Sequence, residues 1–190
     1  MSQDLDIDLS SDEQIQSLIK KYGDDLKPIQ QSHLSVEEFK SISGRLRLDF
    51  TQDIDTIYSR LQECFKYQNI IIVDQLLLNR SVEIKSVGAF VDGLLSAVSD
   101  ALDDDIASSL KRLFKFIINE CIHSTTSNNN THDNVFKLRF PVRKEGCIYI
   151  LLFKLKIIRI KEHRRLAFFM RRRYTATIQC LNTLFYVDEL

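Results

Sequence analysis

The apolar residues of this 190-residue chain change their period across one polar segment, Ser124 to Asn134, so no fold of a single secondary-structure type accommodates both halves. Before that segment they recur with helical spacing. One stripe is Phe90, Val91, Leu94, Leu95, Val98 and Leu102. The next is Ile106, Leu110, Leu113, Phe114, Ile117 and Cys121, opened by the caps and negative charge of Asp103-Asp104-Asp105. After the segment, Phe136, Leu138, Phe140 and Val142 alternate with Lys137, Arg139 and Arg143, the period of a strand with one buried face. Lys144-Glu145-Gly146 turns into a second run, Cys147 to Lys161. Lys161 to Arg165 turns back into a third, Leu166 to Gln179, and Leu181 to Val187 either extends it or forms a fourth. The expected fold is α+β: a helical N-terminal two-thirds packed on a C-terminal antiparallel β-meander of three to four strands.

The N-terminal part divides further. Residues 1–10 are expected as a flexible acidic tail, and 11–190 as a single α+β domain, helical over 11–123, a loop over 124–134 and a meander over 135–187. Ser11 caps a first helix whose stripe is Ile15, Leu18 and Ile19 and whose stop is Gly23. Ser35 and Glu38 form a capping box for a second helix, which Gly44 ends. Arg45 to Phe50 alternates like a short edge strand, and Asp53 to Tyr67 returns to helical spacing. Residues 69–87 stay ambiguous. Ile70 to Val73 favours a buried strand on its β-branched content, and Gln75 to Leu78 fits a helix equally well.

No secretory signal is legible in 1–10, and no run approaches the ~18 uninterrupted apolar residues of a membrane span. The expectation is a cytoplasmic protein without a transmembrane segment. Arg171-Arg172-Arg173 resembles a nuclear-import cluster, although within an alternating strand it reads as structural. Cys64, Cys121, Cys147 and Cys180 are widely spaced beside apolar runs and read as small core residues rather than a disulfide or metal framework.

Motifs of cofactor and catalytic chemistry fail one by one. No G-x-G occurs. Gly88 and Gly93 have phosphate-loop spacing, but Leu94-Leu95 stands where the ammonium and the hydroxyl must be. Asp4, Asp6 and Asp8 imitate a Ca²⁺ loop until Leu9 replaces its glycine and Ile15 its bidentate glutamate. Cys121, His123 and His132 lack a nearby fourth zinc ligand. An enzyme without a recognisable motif would have Cys121 as its best nucleophile. No catalytic residue, metal site or cofactor is assigned.

What does stand out is charge polarity. Residues 1–134 carry 13 Lys and Arg against 22 Asp and Glu, a formal −9, while 135–190 carry 13 against 4, a formal +9. Strand alternation gathers Lys137, Arg139, Arg143, Lys154, Lys156, Arg171 and Arg173 on one sheet face, with Arg164 and Arg165 at its rim and Phe169 available to stack on an unpaired base. Like charges so placed repel unless a counter-charge covers them. The cover could be the protein's own acidic segments, nucleic-acid phosphates, or an anionic membrane or acidic partner. The expected function is that of a non-enzymatic binding or assembly protein engaging a polyanion, RNA or DNA before anionic lipid, through these residues. The alternative is an adaptor, inhibitor or viral matrix-like protein docking on an acidic partner or membrane surface. An apolar patch left on that face would also favour a homo-oligomer.

Overall fold

In a computed structural model of the chain, residues 4–32, 34–64, 70–124, 134–160 and 173–187 are described, without the side chains of 64, 70–75, 123–124, 159–160, 173 and 185–187. Among the described residues, five strands form one mixed sheet. β1 (Asp4–Asp8) and β2 (Ile70–Ile84) come from the N-terminal part, and β3 (Asn134–Lys144), β4 (Cys147–Ile160) and β5 (Arg173–Val187) from the C-terminal part, in the order β1-β3-β4-β5-β2. β1 runs parallel to β3, and every other pairing is antiparallel. The α+β class is as expected, with helices preceding the C-terminal meander. Among the described residues the sheet has five strands rather than three or four because two N-terminal segments add to it, β1 at one end and β2 at the other.

Three of the helices have their ends written in sequence. Ser11 caps α1 (Asp12–Tyr22), its hydroxyl accepting from the Gln14 N–H, and Gly23 stops it at φ 113°. Both halves of the Ser35–Glu38 capping box form at the start of α3 (Val36–Leu46). Ser86 caps α5 (Val87–Ser96). A turn of 3₁₀ helix and α2 (Lys27–Ser32), neither anticipated from the sequence, lie between α1 and α3. α4 (Ile54–Cys64) and α6 (Asp104–Ser124) complete the set. Between β3 and β4, Glu145 and Gly146 both take positive φ, 52° and 79°, the left-handed pair that a two-residue hairpin needs.

The sheet carries a buried core on each face. Phe136, Leu138 and Phe140 from β3, Leu151, Phe153 and Leu155 from β4, and Tyr174, Ile178 and Cys180 from β5 form one core with α1, α2, α5 and α6. The opposite face carries a second core. There Ile148, Ile150, Leu152 and Leu181 pack under Phe39 and Ile42 of α3 and Ile54, Ile57 and Leu61 of α4.

Several expectations need correcting. Residues 4–8 are not a solvated tail. Asp4 to Leu9 alternates acidic and apolar, and Ile7 and Leu9 enter the first core while Asp6 and Asp8 sit in register beside Lys137 and Arg139. No strand forms over Arg45–Phe50. α3 runs through Gly44 because Leu46 lies one turn beyond Ile42 on the buried face, and the chain then leaves the helix at Arg47, φ 50°, with Leu48 and Phe50 buried in the second core. The ambiguous 69–87 resolves into β2. Leu77 packs on the second core and Leu78 on the first, which explains why neighbouring positions are both apolar. Leu181–Val187 continues β5. Most of the 124–134 loop, the 161–165 turn, 166–172 and Phe65 to Tyr67 lie outside the described residues.

Candidate functional site

The face shared by Lys137, Arg139, Arg143, Lys154 and Lys156 follows from register. Arg143 stands opposite Ile148, Arg139 opposite Leu152, Lys137 opposite Lys154, and Val135 opposite Lys156. Crossing to β5, Leu152 meets Leu181, Lys154 meets Gln179 and Lys156 meets Thr177. The face is therefore apolar at one end, where α3 and α4 cover it, and polar at the other. Arg173 pairs with Ile160 in the same ladder. Arg164, Arg165, Phe169 and Arg171 lie outside the described residues.

Acidic residues from the N-terminal part reach three of these cations. Arg139 Nη1 lies 3.1 Å from Asp6 Oδ1, and its Nε lies 3.9 Å from Asp8 Oδ2. The Arg139 side chain is only 13% exposed, and its Nε is buried without a hydrogen-bond acceptor, so the two carboxylates are what compensates the guanidinium. Arg143 Nη2 is 3.2 Å from Glu38 Oε1, the same carboxylate that completes the α3 capping box. Lys154 Nζ is 3.5 Å from Asp53 Oδ1 just before α4, and Gln179 donates to Asp55 Oδ2 at 3.2 Å. Among the described residues Lys137 makes no ion pair, although it faces a second ammonium directly across the ladder. Lys144, beside this group, reaches the Asp103 carboxylate at 3.8 Å and donates to the Asp100 carbonyl.

Between the α3–α4 connection and the sheet lies a shallow cleft, bordered by Thr51 and Asp53 on one side and Lys137, Arg139 and Lys154 on the other. Its rim is held by Asp49, which accepts from both the hydroxyl and the N–H of Thr51, at 2.6 and 2.9 Å. Those two bonds, the hydroxyl's first, hold the Asp49 carboxyl below its ordinary range, with Arg139 adding a smaller attraction. Cover by the protein's own acidic segments was among the expectations for these cations, but its members Asp6, Asp8, Glu38 and Asp53 were not singled out. The alternation of Asp4, Asp6 and Asp8 was the available signal for two of them.

Two of the thiols, Cys121 and Cys180, are placed against nucleophilic chemistry. Burial pushes Cys121 up to about 11, and Cys180 up to about 12. At pH 8 an alkylating reagent should modify Cys121 about 100-fold and Cys180 about 1,000-fold more slowly in the native protein than in denaturant, since thiolate is the reacting species. Equal rates in the two states would show that the thiols are not buried as described. Protonated thiols favour the folded state, so this contribution is intact below about pH 9 and is lost as pH rises toward 12. Among the described residues no group of three or more His, Cys, Asp and Glu could hold a metal ion. His132 falls outside those residues, as does the side chain of His123. Among them, too, no helix is long and apolar enough to cross a membrane.

Fold and site together define an α+β protein with a mixed five-stranded sheet between two helical layers, on one face of which Arg139, Arg143 and Lys154 are paired with carboxylates. No protein-family model and no curated protein matches the sequence. Among solved structures, the chain is similar to the activated Cyt2Ba monomer from Bacillus thuringiensis subsp. israelensis, with a TM-score of 0.53 at 10% identity, over 82% of this chain and 93% of that one. The likeness is one of fold.

Proposed function

We propose that this chain is a non-enzymatic binding or assembly protein that takes a polyanion, RNA or DNA in preference to anionic lipid, at the end of the sheet where β4 leads into β5. One observation carries the reading. Arg139, Arg143 and Lys154 are engaged by Asp6, Asp8, Glu38 and Asp53, so most of the C-terminal charge surplus falls elsewhere. The ladder closes at Ile160 and Arg173, and residues 159–173 hold seven Lys and Arg against one Glu. A phosphate chain gains little from guanidinium groups that already have carboxylates, and more from cations that do not. On this reading Arg164, Arg165, Arg171 and Arg173, in a segment whose sequence holds one Glu, are the principal phosphate contacts, with Lys137 contributing from the sheet. Phe169 supplies a surface on which an unpaired base stacks.

Binding of a fluorescent single-stranded oligonucleotide to the whole chain tests this. With about four phosphates neutralised, affinity should fall about 50-fold between 50 and 200 mM salt. The Arg164→Ala, Arg165→Ala, Arg171→Ala, Arg173→Ala variant should lose most of that salt dependence. Affinity indifferent to salt, or unchanged in that variant, sinks the proposal. Stronger binding to phosphatidylserine vesicles than to the oligonucleotide would move the same chemistry to a lipid surface.

A further inference from the structure

We propose that two copies of this chain form a two-fold dimer by pairing β2 with β2, antiparallel and centred on Leu77. β2 is one of the two outermost strands. β5 occupies one of its edges, and no strand among the described residues occupies the other. Proteins normally blunt such an edge with short length, lysine, proline or bulges. β2 is 15 residues long and contains neither lysine nor proline. Its one register shift lies between Ile72 and Asp74, which leaves 74–84 as an uninterrupted ladder.

Side-chain order along that ladder names the occupant. Asp74-Gln75-Leu76-Leu77-Leu78-Asn79-Arg80 is chemically symmetric about Leu77. Antiparallel pairing on this centre sets Leu77 opposite its own copy, Leu76 opposite Leu78, Gln75 opposite Asn79, and Asp74 opposite Arg80, each pair except the central one occurring twice. Directly opposed unlike charges and apolar pairs stabilise a ladder. Other arrangements lose this match. Moving the centre by one residue sets Asp74 opposite Leu78 or Val82, and a parallel, in-register arrangement sets each charge opposite its like. Leu76 is 42% exposed and shares a sheet face with Leu78, which packs on the first core. Pairing Leu76 with Leu78 of the second copy carries that core across the symmetry axis. The contact is isologous and closed, so it stops at two copies.

Sedimentation of the full chain, with charge reversals, decides the matter and is independent of polyanion binding. The wild-type protein should be a dimer that dissociates on dilution. Asp74→Arg and Arg80→Asp should each weaken self-association at least tenfold, because each sets like charges together at two places. An equimolar mixture of these two variants should form a one-to-one heterodimer, since one then carries two carboxylates and the other two guanidinium groups at the mirrored positions. The doubly exchanged chain, Asp74→Arg with Arg80→Asp, should recover the homodimer, and it serves as the deciding variant where either single reversal fails to fold. A monomeric wild type overturns the proposal. So does a dimer indifferent to the single reversals, or a failure of both the mixture and the double exchange to restore pairing.

Discussion

A Phe114→Ala variant should lose about 3–5 kcal/mol of unfolding free energy. Phe114 projects from α6 into the first core and is fully buried. Its ring meets Phe136 of β3 edge-on at 5.5 Å and Phe153 of β4 at 5.1 Å, so one side chain joins the long helix to two adjacent strands. Truncation removes buried apolar surface, leaves a cavity beneath close-packed strands, and deletes two aromatic contacts worth roughly 0.5–1.5 kcal/mol each beyond their area. Phe116, two residues on, is the control. It is 38% exposed and stacks on Tyr22 at 5.0 Å at the helix surface, so Phe116→Ala should cost about 1 kcal/mol. Urea unfolding of the two variants measures the difference. Equal losses would mean that α6 does not dock on the sheet through Phe114.

The second large effect is expected at Arg139. Its guanidinium is mostly buried against the Asp6 and Asp8 carboxylates, and its carbonyl accepts the Leu9 N–H at 2.8 Å. Arg139→Ala removes the cation and leaves the Asp6 and Asp8 carboxylates without their shared guanidinium partner. Breaking a fully buried pair costs about 3–5 kcal/mol, but Asp6 is 54% exposed, so about 2–3 kcal/mol is expected. The loss should concentrate in β1, with amide protection falling at Ile7 and Leu9 before it falls in β4. Because the Arg139 charge is spent internally, the variant should bind an oligonucleotide as the wild type does. Unfolding free energy and hydrogen exchange check the first part, and anisotropy the second. A variant of unchanged stability and reduced affinity would reverse the assignment, making Arg139 a ligand contact.

These expectations separate two roles for positive charge in one sheet. Cations in the ladder between β1 and β4 fasten N-terminal segments to the C-terminal strands. Arg139 holds β1, Arg143 meets α3, and Lys154 meets the start of α4. The opposite formal charges of the two halves thus serve assembly of the domain. Cations of 159–173 have only Glu162 among them in sequence, and the proposed function rests on those.

The alternation of Phe136 to Val142, the strand run beginning at Cys147, the stripes of α5 and α6 and the caps at Ser11 and Ser35 were all legible from sequence. Each depends on neighbours within one turn or two residues, so a local pattern suffices to specify it. Even the gathering of Lys137, Arg139, Arg143, Lys154 and Lys156 on one face was a local matter, needing only strand parity and an in-order hairpin. What lies over that face was not. Ile148, Ile150 and Leu152 announce a second buried surface by being apolar where an open face should be polar, but no local rule says which helices cover it. Likewise, Asp6 and Arg139 are 133 residues apart, and only burial of Ile7 and Leu9 in the common core brings β1 alongside β3. The sequence by itself determined the elements, their faces and the division of charge. Tertiary structure alone decided which carboxylate meets which cation, because those pairings are by-products of long-range apolar packing rather than of any short-range pattern in the chain.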